Sequence, residues 1–299
     1  MINYLSLKAY GKINLGLDVL RRREDGYHEV RMLMQTVGIF DRVDLTRAPQ
    51  PGIHVETNLY YLPTNENNLV YRAAKLLMDE FKISDGLHIR LKKFIPVAAG
   101  MAGGSSDAAA VLFGVNKMFR LGLTTAQLME RGVRLGADVP YCVMRGTALS
   151  EGIGEILTPL PPVPQCHVLI AKPAVSVSTR WVYENLHAND LTPEQHPDID
   201  AMIDAVRAHN ITQIAKHLGN VLETVTIPRY PVIRAIKEQM LSDGAIGAQM
   251  SGSGPTVFGL FTDSDAASRA YEHLRYGDGD ENGRLARQVY LTDFFNTAT

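Results

Sequence analysis

The chain has 299 residues, enough for one large domain or two ordinary ones, and a hydrophobic share of 45% supplies a core that excludes a disordered chain. A formal net charge of -2 with 21% charged residues excludes both an overall basic field for nucleic acid and an acidic solvating tail. Cys142 and Cys166 are too few for a disulfide scaffold and fit no zinc-ligand spacing, so both are expected as buried thiols in a reducing compartment.

The opening residues 1–8 have neither a basic leader before a long apolar core nor a small-residue cleavage site, and no apolar run reaches roughly 18 residues. A soluble, cytoplasmic protein is expected. Tyr4 to Val19 reads as one or two strands broken near Gly11, because Leu5, Leu7, Ile13, Leu15, Leu17 and Val19 alternate with small or polar residues. Short strands follow at 42–46 and 53–57. Over 67–81 the period changes, and Val70, Ala73, Ala74, Leu77 and Phe81 mark an amphipathic helix. Leu87, Ile89 and Leu91 then alternate with polar residues as a strand with one wet face.

A glycine-rich loop comes next, and from Ser105 strong helix formers run to about Phe119 behind two serines able to cap. Thr124 or Thr125 caps a further helix ending by Gly136, before an extended, proline-limited segment at Asp138-Val139-Pro140. The Gly- and Pro-rich stretch 146–164 marks the best domain boundary, giving domains 1–158 and 159–299. The second half reads as a strand at 166–171, several helices between 179 and 241, small and β-branched residues over 244–259, a helix at 264–274 and a strand near 288–291. Strands lead and helices crowd later in each half, which favours α+β over a doubly wound sheet.

The chemistry centres on Pro96-Val97-Ala98-Ala99-Gly100-Met101-Ala102-Gly103-Gly104-Ser105-Ser106-Asp107, between a strand and a helix. Small residues let a backbone approach a ligand closely, and the free N–H groups at the helix start attract an anion, polyphosphate above all. The alternative is a purely structural turn. Gly104 is followed by Ser105 where a P-loop requires Lys, and Gly100, Gly103 and Gly104 lack dinucleotide-fingerprint spacing. The motifs of protein kinases are absent too.

The segment resembles the phosphate loop of the galactokinase, homoserine kinase, mevalonate kinase and phosphomevalonate kinase (GHMP) superfamily. Two further motifs resemble it in the expected order: Ala9-Tyr10-Gly11-Lys12-Ile13-Asn14-Leu15 near the start and Met250-Ser251-Gly252-Ser253-Gly254-Pro255-Thr256 near the end. The resemblance spans nearly the whole chain and implies a two-domain GHMP-kinase-like α+β fold with an ATP and substrate cleft between domains. It also implies ATP as phosphoryl donor with Mg2+, and 96–106 wrapping the phosphates, with Ser105 or Ser106 available to phosphate or magnesium. The loop departs from the family in being poorer in glycine, and alanine tolerates positive φ less well.

Within the superfamily, the branch whose substrate carries a cytidine diphosphate group has an Asp-Gly-Tyr-His segment that helps hold cytosine, matched here by Asp25-Gly26-Tyr27-His28. By that resemblance Tyr27 packs near the base and His28 faces its edge; from the residues alone the pair is surface structure after a turn. Ser178-Thr179-Arg180-Trp181-Val182-Tyr183 resembles the segment that lays an aromatic ring across cytosine, with Tyr183 chosen over Trp181 and Thr179 among the substrate contacts. In Gly136-Ala137-Asp138-Val139-Pro140-Tyr141-Cys142 the resemblance makes Asp138 the catalytic base, where the bland alternative is a turn or cap residue.

Lys12 is implied to keep Asp138 ionised and to neutralise developing charge. Its bland alternative is an edge-strand solubility charge. Asn14, two residues on along the same strand face, is expected at the substrate phosphate or beside Asp138, its alternative being a hydrogen-bonded strand residue without a catalytic task, and Gly252, Ser253 and Gly254 from the last loop are expected at the substrate or the phosphates. Arg21-Arg22-Arg23 is either a solvated turn or a diphosphate contact. No set of protein metal ligands is identified, nor any nucleic-acid or membrane partner, and nothing reports oligomeric state. Competing readings are another kinase of the superfamily, acting on homoserine, mevalonate or a sugar, and a non-catalytic nucleotide-binding regulator.

Overall fold

A computed structural model describes residues 2–277 and 284–296. Strand β1 (Tyr4–Arg22) runs unbroken through Gly11. The expected break is absent because 11–19 are all buried, so neighbours on both faces hold the glycine extended. Strand β2 (His28–Ala48) is far longer than the segment expected at 42–46. Its first half includes Met32–Val37, buried throughout, and a strand covered on both faces loses the alternation by which strands are read.

The described residues form two compact units that interleave along the chain. The first comprises Met1–Gly11, Ile39–Val97 and Ala102–Arg145. Here Arg42–Ala48 of β2 pairs antiparallel with β4 (Gly86–Lys92), and β4 pairs parallel with β3 (Gly52–Thr57). Helix α1 (Leu69–Glu80) starts where the Asn68 side chain accepts from Val70 N, and it buries Val70, Ala73, Ala74, Leu77 and Met78. Each large apolar side chain fully buried there contributes about 1.5–3 kcal/mol. It packs on α2 (Gly103–Phe119), and α3 (Thr125–Val133) opens with a reciprocal capping box between Thr124 and Gln127.

The segment after Asp138 is helical, α4 (Val139–Met144), not extended. Pro140 falls in the first turn, where its missing N–H has no intrahelical partner to lose, so proline starts this helix instead of preventing it.

The second unit comprises Lys12–Gly38, Ala98–Met101 and Gly146–Thr299. The Gly- and Pro-rich stretch after residue 146 is largely a hairpin, β5 (Thr147–Glu151) with β6 (Ile156–Pro159), and β5 pairs with Met32–Gln35. Strand β7 (His167–Lys172) leads into helices α5 (Thr179–Asn185), α6 (Ile199–Arg207) and α7 (Ile211–Lys216). The two-residue strand β8 (Gly219–Asn220) pairs with Gly16 and Leu17.

Helices α8 (Glu223–Arg229) and α9 (Val232–Ser242) precede β9 (Gly247–Met250), β10 (Val257–Phe261), α10 (Ser264–Tyr276) and β11 (Gln288–Asp293). These strands form an antiparallel sheet in the order β11-β7-β10-β9, with α9 and α10 packed on it. A central strand covered on both faces must be apolar throughout, as Val257-Phe258-Gly259-Leu260-Phe261 is. Strands and helices are thus segregated in the α+β manner. Among the described residues no helix is long and apolar enough to cross a membrane.

Candidate active site

In the first unit, strand β4 delivers the chain to the glycine-rich loop and α2 receives it. Asp41 of β2, fully buried, accepts from the N–H groups of Phe94 (2.5 Å) and Ile95 (2.8 Å) and from the Lys93 ammonium. Lys93 also donates to Asp107 Oδ2 at 2.7 Å, tying the strand end to the first turns of α2. Burial works against the Lys93 charge, yet Asp107 and Asp41 outweigh it and push its pKa up. Burial pushes the Asp107 carboxyl up to about 8 against the pull of Lys93.

Two substitutions separate these acids. Asp41→Asn is expected to lower unfolding free energy by about 3–5 kcal/mol, since it breaks a buried ion pair. Asp107→Asn, which copies the protonated acid, should cost about 1 kcal/mol. Because the Asp107 pKa is higher folded than unfolded, its contribution is full below the unfolded value and lost as pH rises through about 8. Denaturant titrations at several pH values should show that loss in the parent and not in Asp107→Asn.

Helix α2 begins without a side-chain cap: its N-cap is Ala102, in the left-handed region at φ 52. Ser105 and Ser106 lie inside the first turn and do not cap it, contrary to expectation. The Ser106 hydroxyl donates to the carbonyl of Tyr10 at 2.6 Å, whereas Ser105 is half-buried and Gly104 exposed. An uncapped helix start at a small-residue loop leaves backbone donors for an anion. Asp138 lies in the same unit, half-buried just before α4, and its side chain makes no capping hydrogen bond. α4 in turn packs on α2 and α3.

In the second unit three distant segments meet. Lys12, only 5% exposed, donates from Nζ to Asn14 Oδ1 at 2.6 Å, and its backbone N–H donates to the Met101 carbonyl at 3.1 Å. The Asn14 N–H donates to Ser251 Oγ at 3.4 Å, and that hydroxyl donates to the Gly100 carbonyl at 2.9 Å. Gly100 has φ +69, and a Cβ there would fall 2.1 Å from the Ser251 carbonyl oxygen. Its partner Gly252, at φ +59, would carry a Cβ 3.2 Å from Gly100 Cα. Both glycines are therefore required for backbone to lie on backbone. Gly100→Ala cannot be relieved by a side-chain rotation, and a displacement near 1 Å at a positioning loop costs about 100-fold in kcat/KM. Steady-state kinetics with a thermal melt as folding control checks this.

The last loop is held by residues with no local sequence signal. Asn220 Nδ2 donates to the carbonyls of Met250 and Gly252, both at 2.8 Å. Glu223 accepts from Met250 N–H at 2.9 Å and from Lys237 at 2.6 Å. Ser253 Oγ lies 2.7 Å from Thr179 Oγ1, bringing together two residues expected at the substrate.

A pocket of about 430 Å³ in this unit is lined by Arg22, Tyr27, His28, Arg180, Tyr183 and their neighbours. The rings of His28 and Tyr183 lie 5.0 Å apart, tilted by 46°. His28 Nε2 is buried without a hydrogen-bond partner, and burial, helped by the Arg22 charge, lowers the His28 pKa, which favours the neutral imidazole. Tyr183 lines this pocket, whereas Trp181 stacks edge-on near Tyr230. Of the arginine run, Arg22 lines it too, while Arg21 pairs with Glu29 and Arg23 with Asp25.

The small-residue loop into an uncapped helix, the second glycine loop and the buried Lys-x-Asn strand are the three motifs through which the sequence resembles the GHMP superfamily. The family described as GHMP kinases N terminal domain matches residues 68–146, and that described as GHMP kinases C terminal matches 186–278. The chain is 56% identical over 291 residues to 4-diphosphocytidyl-2-C-methyl-D-erythritol kinase of Lachnospira eligens, covering 97% of this chain and 98% of that one. It is 54% identical over 296 residues to the protein of the same name from Lachnoclostridium phytofermentans, with 99% of each covered. A crystal structure of 4-(cytidine 5'-diphospho)-2C-methyl-D-erythritol kinase superposes with a TM-score of 0.82 at 32% identity, over 98% of this chain and 100% of that one. The chain belongs to the GHMP kinases, in the family of 4-diphosphocytidyl-2-C-methyl-D-erythritol kinases.

Proposed function

We propose that this chain transfers the terminal phosphoryl group of ATP to the 2-hydroxyl of 4-diphosphocytidyl-2-C-methyl-D-erythritol, giving the 2-phosphate and ADP in non-mevalonate (methylerythritol phosphate) isoprenoid precursor biosynthesis. The observation that carries the substrate half is the pocket around His28, whose buried, unpartnered Nε2 sits beside the Tyr183 ring. A neutral imidazole can hydrogen-bond a cytosine edge, Tyr27 and Tyr183 offer faces for stacking, and Arg22 and Arg180 supply positive charge for a diphosphate.

Asp138 is the general base for the tertiary hydroxyl, and Lys12 neutralises charge on the transferring phosphoryl. Asn14 fixes the Lys12 ammonium through its 2.6 Å hydrogen bond. Residues 96–106 take the ATP phosphates, with Ser105 rather than the engaged Ser106 offering its hydroxyl. Gly252, Ser253 and Gly254 with Thr179 contact the substrate. At the phosphate loop the carboxyl group of Asp107 is buried against Lys93 and Ser105 is the accessible hydroxyl. That donor set fits a Mg2+ ion brought in on the nucleotide rather than one held in a protein cage. Bound there, the ion neutralises phosphate charge.

The two matched family segments support family domains divided at 158/159. A near-neutral net charge supports a small molecule rather than nucleic acid as partner, and dependence on ATP supports work in the cytoplasm.

Base stacking is worth about 1–3 kcal/mol, and 1.4 kcal/mol is about tenfold. Tyr183→Ala should therefore raise KM for the cytidylyl substrate by about fivefold to 100-fold while leaving KM for ATP unchanged. Equal effects on both, or none, would remove this pocket from cytidine recognition.

A further inference from the structure

Strand β3 lies at an edge of the first unit's sheet and pairs in parallel with β4, in a register that sets His54 opposite His88 and Glu56 opposite Arg90. Side chains two apart on a strand share a face, so His54 and Glu56 project beside His88. The opposite face of β3 buries Val55, and α1 packs on this strand, so the histidine face is the solvent side. Side-chain exposures of 74% for His54, 46% for Glu56 and 30% for His88 agree with that.

The three side chains converge. Glu56 Oε1 lies 3.3 Å from His88 Nε2 and 3.8 Å from His54 Nε2, and all three ligand atoms fall within 4.8 Å of one another. A tetrahedral ion with bonds of about 2.0–2.1 Å needs its ligand atoms about 3.3–3.4 Å apart, a spacing one pair already has and the exposed His54 reaches by turning its ring. His88 Nε2 is buried without a hydrogen-bond partner: close as it is to Glu56 Oε1, it is not aligned to bond it. Such a misalignment suits two ligands aimed at a common point. The other carboxylate oxygen, Oε2, is held by Arg90 Nε at 3.3 Å, which orients Glu56 as an outer partner orients a metal ligand.

We propose that His54, Glu56 and His88 form a binding site for a zinc-like divalent cation, with water in the fourth position, that clamps the edge strand β3 to β4. Two imidazoles and one carboxylate select a late first-row ion over Mg2+ or Ca2+, which prefer all-oxygen sets. The site is separate from the residues assigned to phosphoryl transfer, and its occupation stabilises the fold by mass action, since the unfolded chain does not hold the ligands together.

The test is calorimetric titration of the full chain with Zn2+ in a non-chelating buffer, alongside His54→Ala, His88→Ala and the double variant. Thermal melts with and without Zn2+ accompany it. The expected result is one site, a Kd raised at least about tenfold by either single substitution, and loss of both binding and the zinc-dependent rise in melting temperature in the double variant. Mg2+-ATP turnover without zinc should be unchanged in all three. Should the double variant fail to fold, Glu56→Gln supplies the same comparison. An unchanged zinc stoichiometry and affinity in the double variant, or no uptake by the parent chain, overturns the proposal.

Discussion

Asp138→Asn is expected to lower kcat about 100-fold to 1000-fold, with KM for both substrates changed little. The side chain sits half-buried just ahead of α4 and is not used to cap that helix, so its carboxylate remains for other work. An alcohol is a poor nucleophile until its proton is accepted, and loss of a positioned base or a preorganised group costs about this much. Asparagine keeps the shape and can accept hydrogen bonds but cannot take a proton at neutral pH. Single-turnover kinetics, with circular dichroism to verify the fold, separates the chemical step from binding. Near-normal turnover by a folded variant would remove Asp138 from the base role.

Lys12→Met should lose about 100-fold or more in turnover without loss of stability. The ammonium is buried, and its hydrogen-bond partner Asn14 Oδ1 is a neutral amide. A buried charge that faces a neutral group is costly to the folded state, and a methionine of similar length removes that cost while filling the space. The expected pattern is a thermal midpoint equal to or above that of the parent, together with collapsed kcat. A fall in stability with turnover retained would mean that Lys12 serves packing and not chemistry.

The fold was legible wherever one face of an element is wet. The α1 period, the threonine cap of α3, which falls on Thr124, and the alternation of β4 all survive as written in the sequence, because half-buried elements sort residues by face. The first half of β2 was not legible, since Met32–Val37 is buried on both sides and carries no alternation. α4 was hidden by Pro140, whose place in the first turn is a matter of one residue of register. The hairpin of β5 and β6 looks like punctuation in the sequence because its glycines and prolines serve the turn and the edge.

Of the site, the glycine loops and the Lys12-x-Asn14 strand were readable, because close backbone approach and strand-face spacing leave marks in the sequence. The supports were not. Asp41, Lys93 and Asp107 come from three separate elements to fix the first loop, and Asn220 and Glu223 reach the last one from about 30 residues away in sequence. Polar groups buried for such long-range bonds look like any other polar residue until the fold is known. The same holds for His54, Glu56 and His88, whose ligand spacing exists across a strand pair rather than along one chain segment.

The most direct test of the central claim is ADP release from Mg2+-ATP by purified protein, comparing 4-diphosphocytidyl-2-C-methyl-D-erythritol with mevalonate, homoserine and galactose. Release that depends on the cytidylyl alcohol alone, and that disappears in Asp138→Asn, is the predicted result. Release with one of the other alcohols instead would contradict the substrate assignment, and no release with any of the four would contradict the assignment as a kinase.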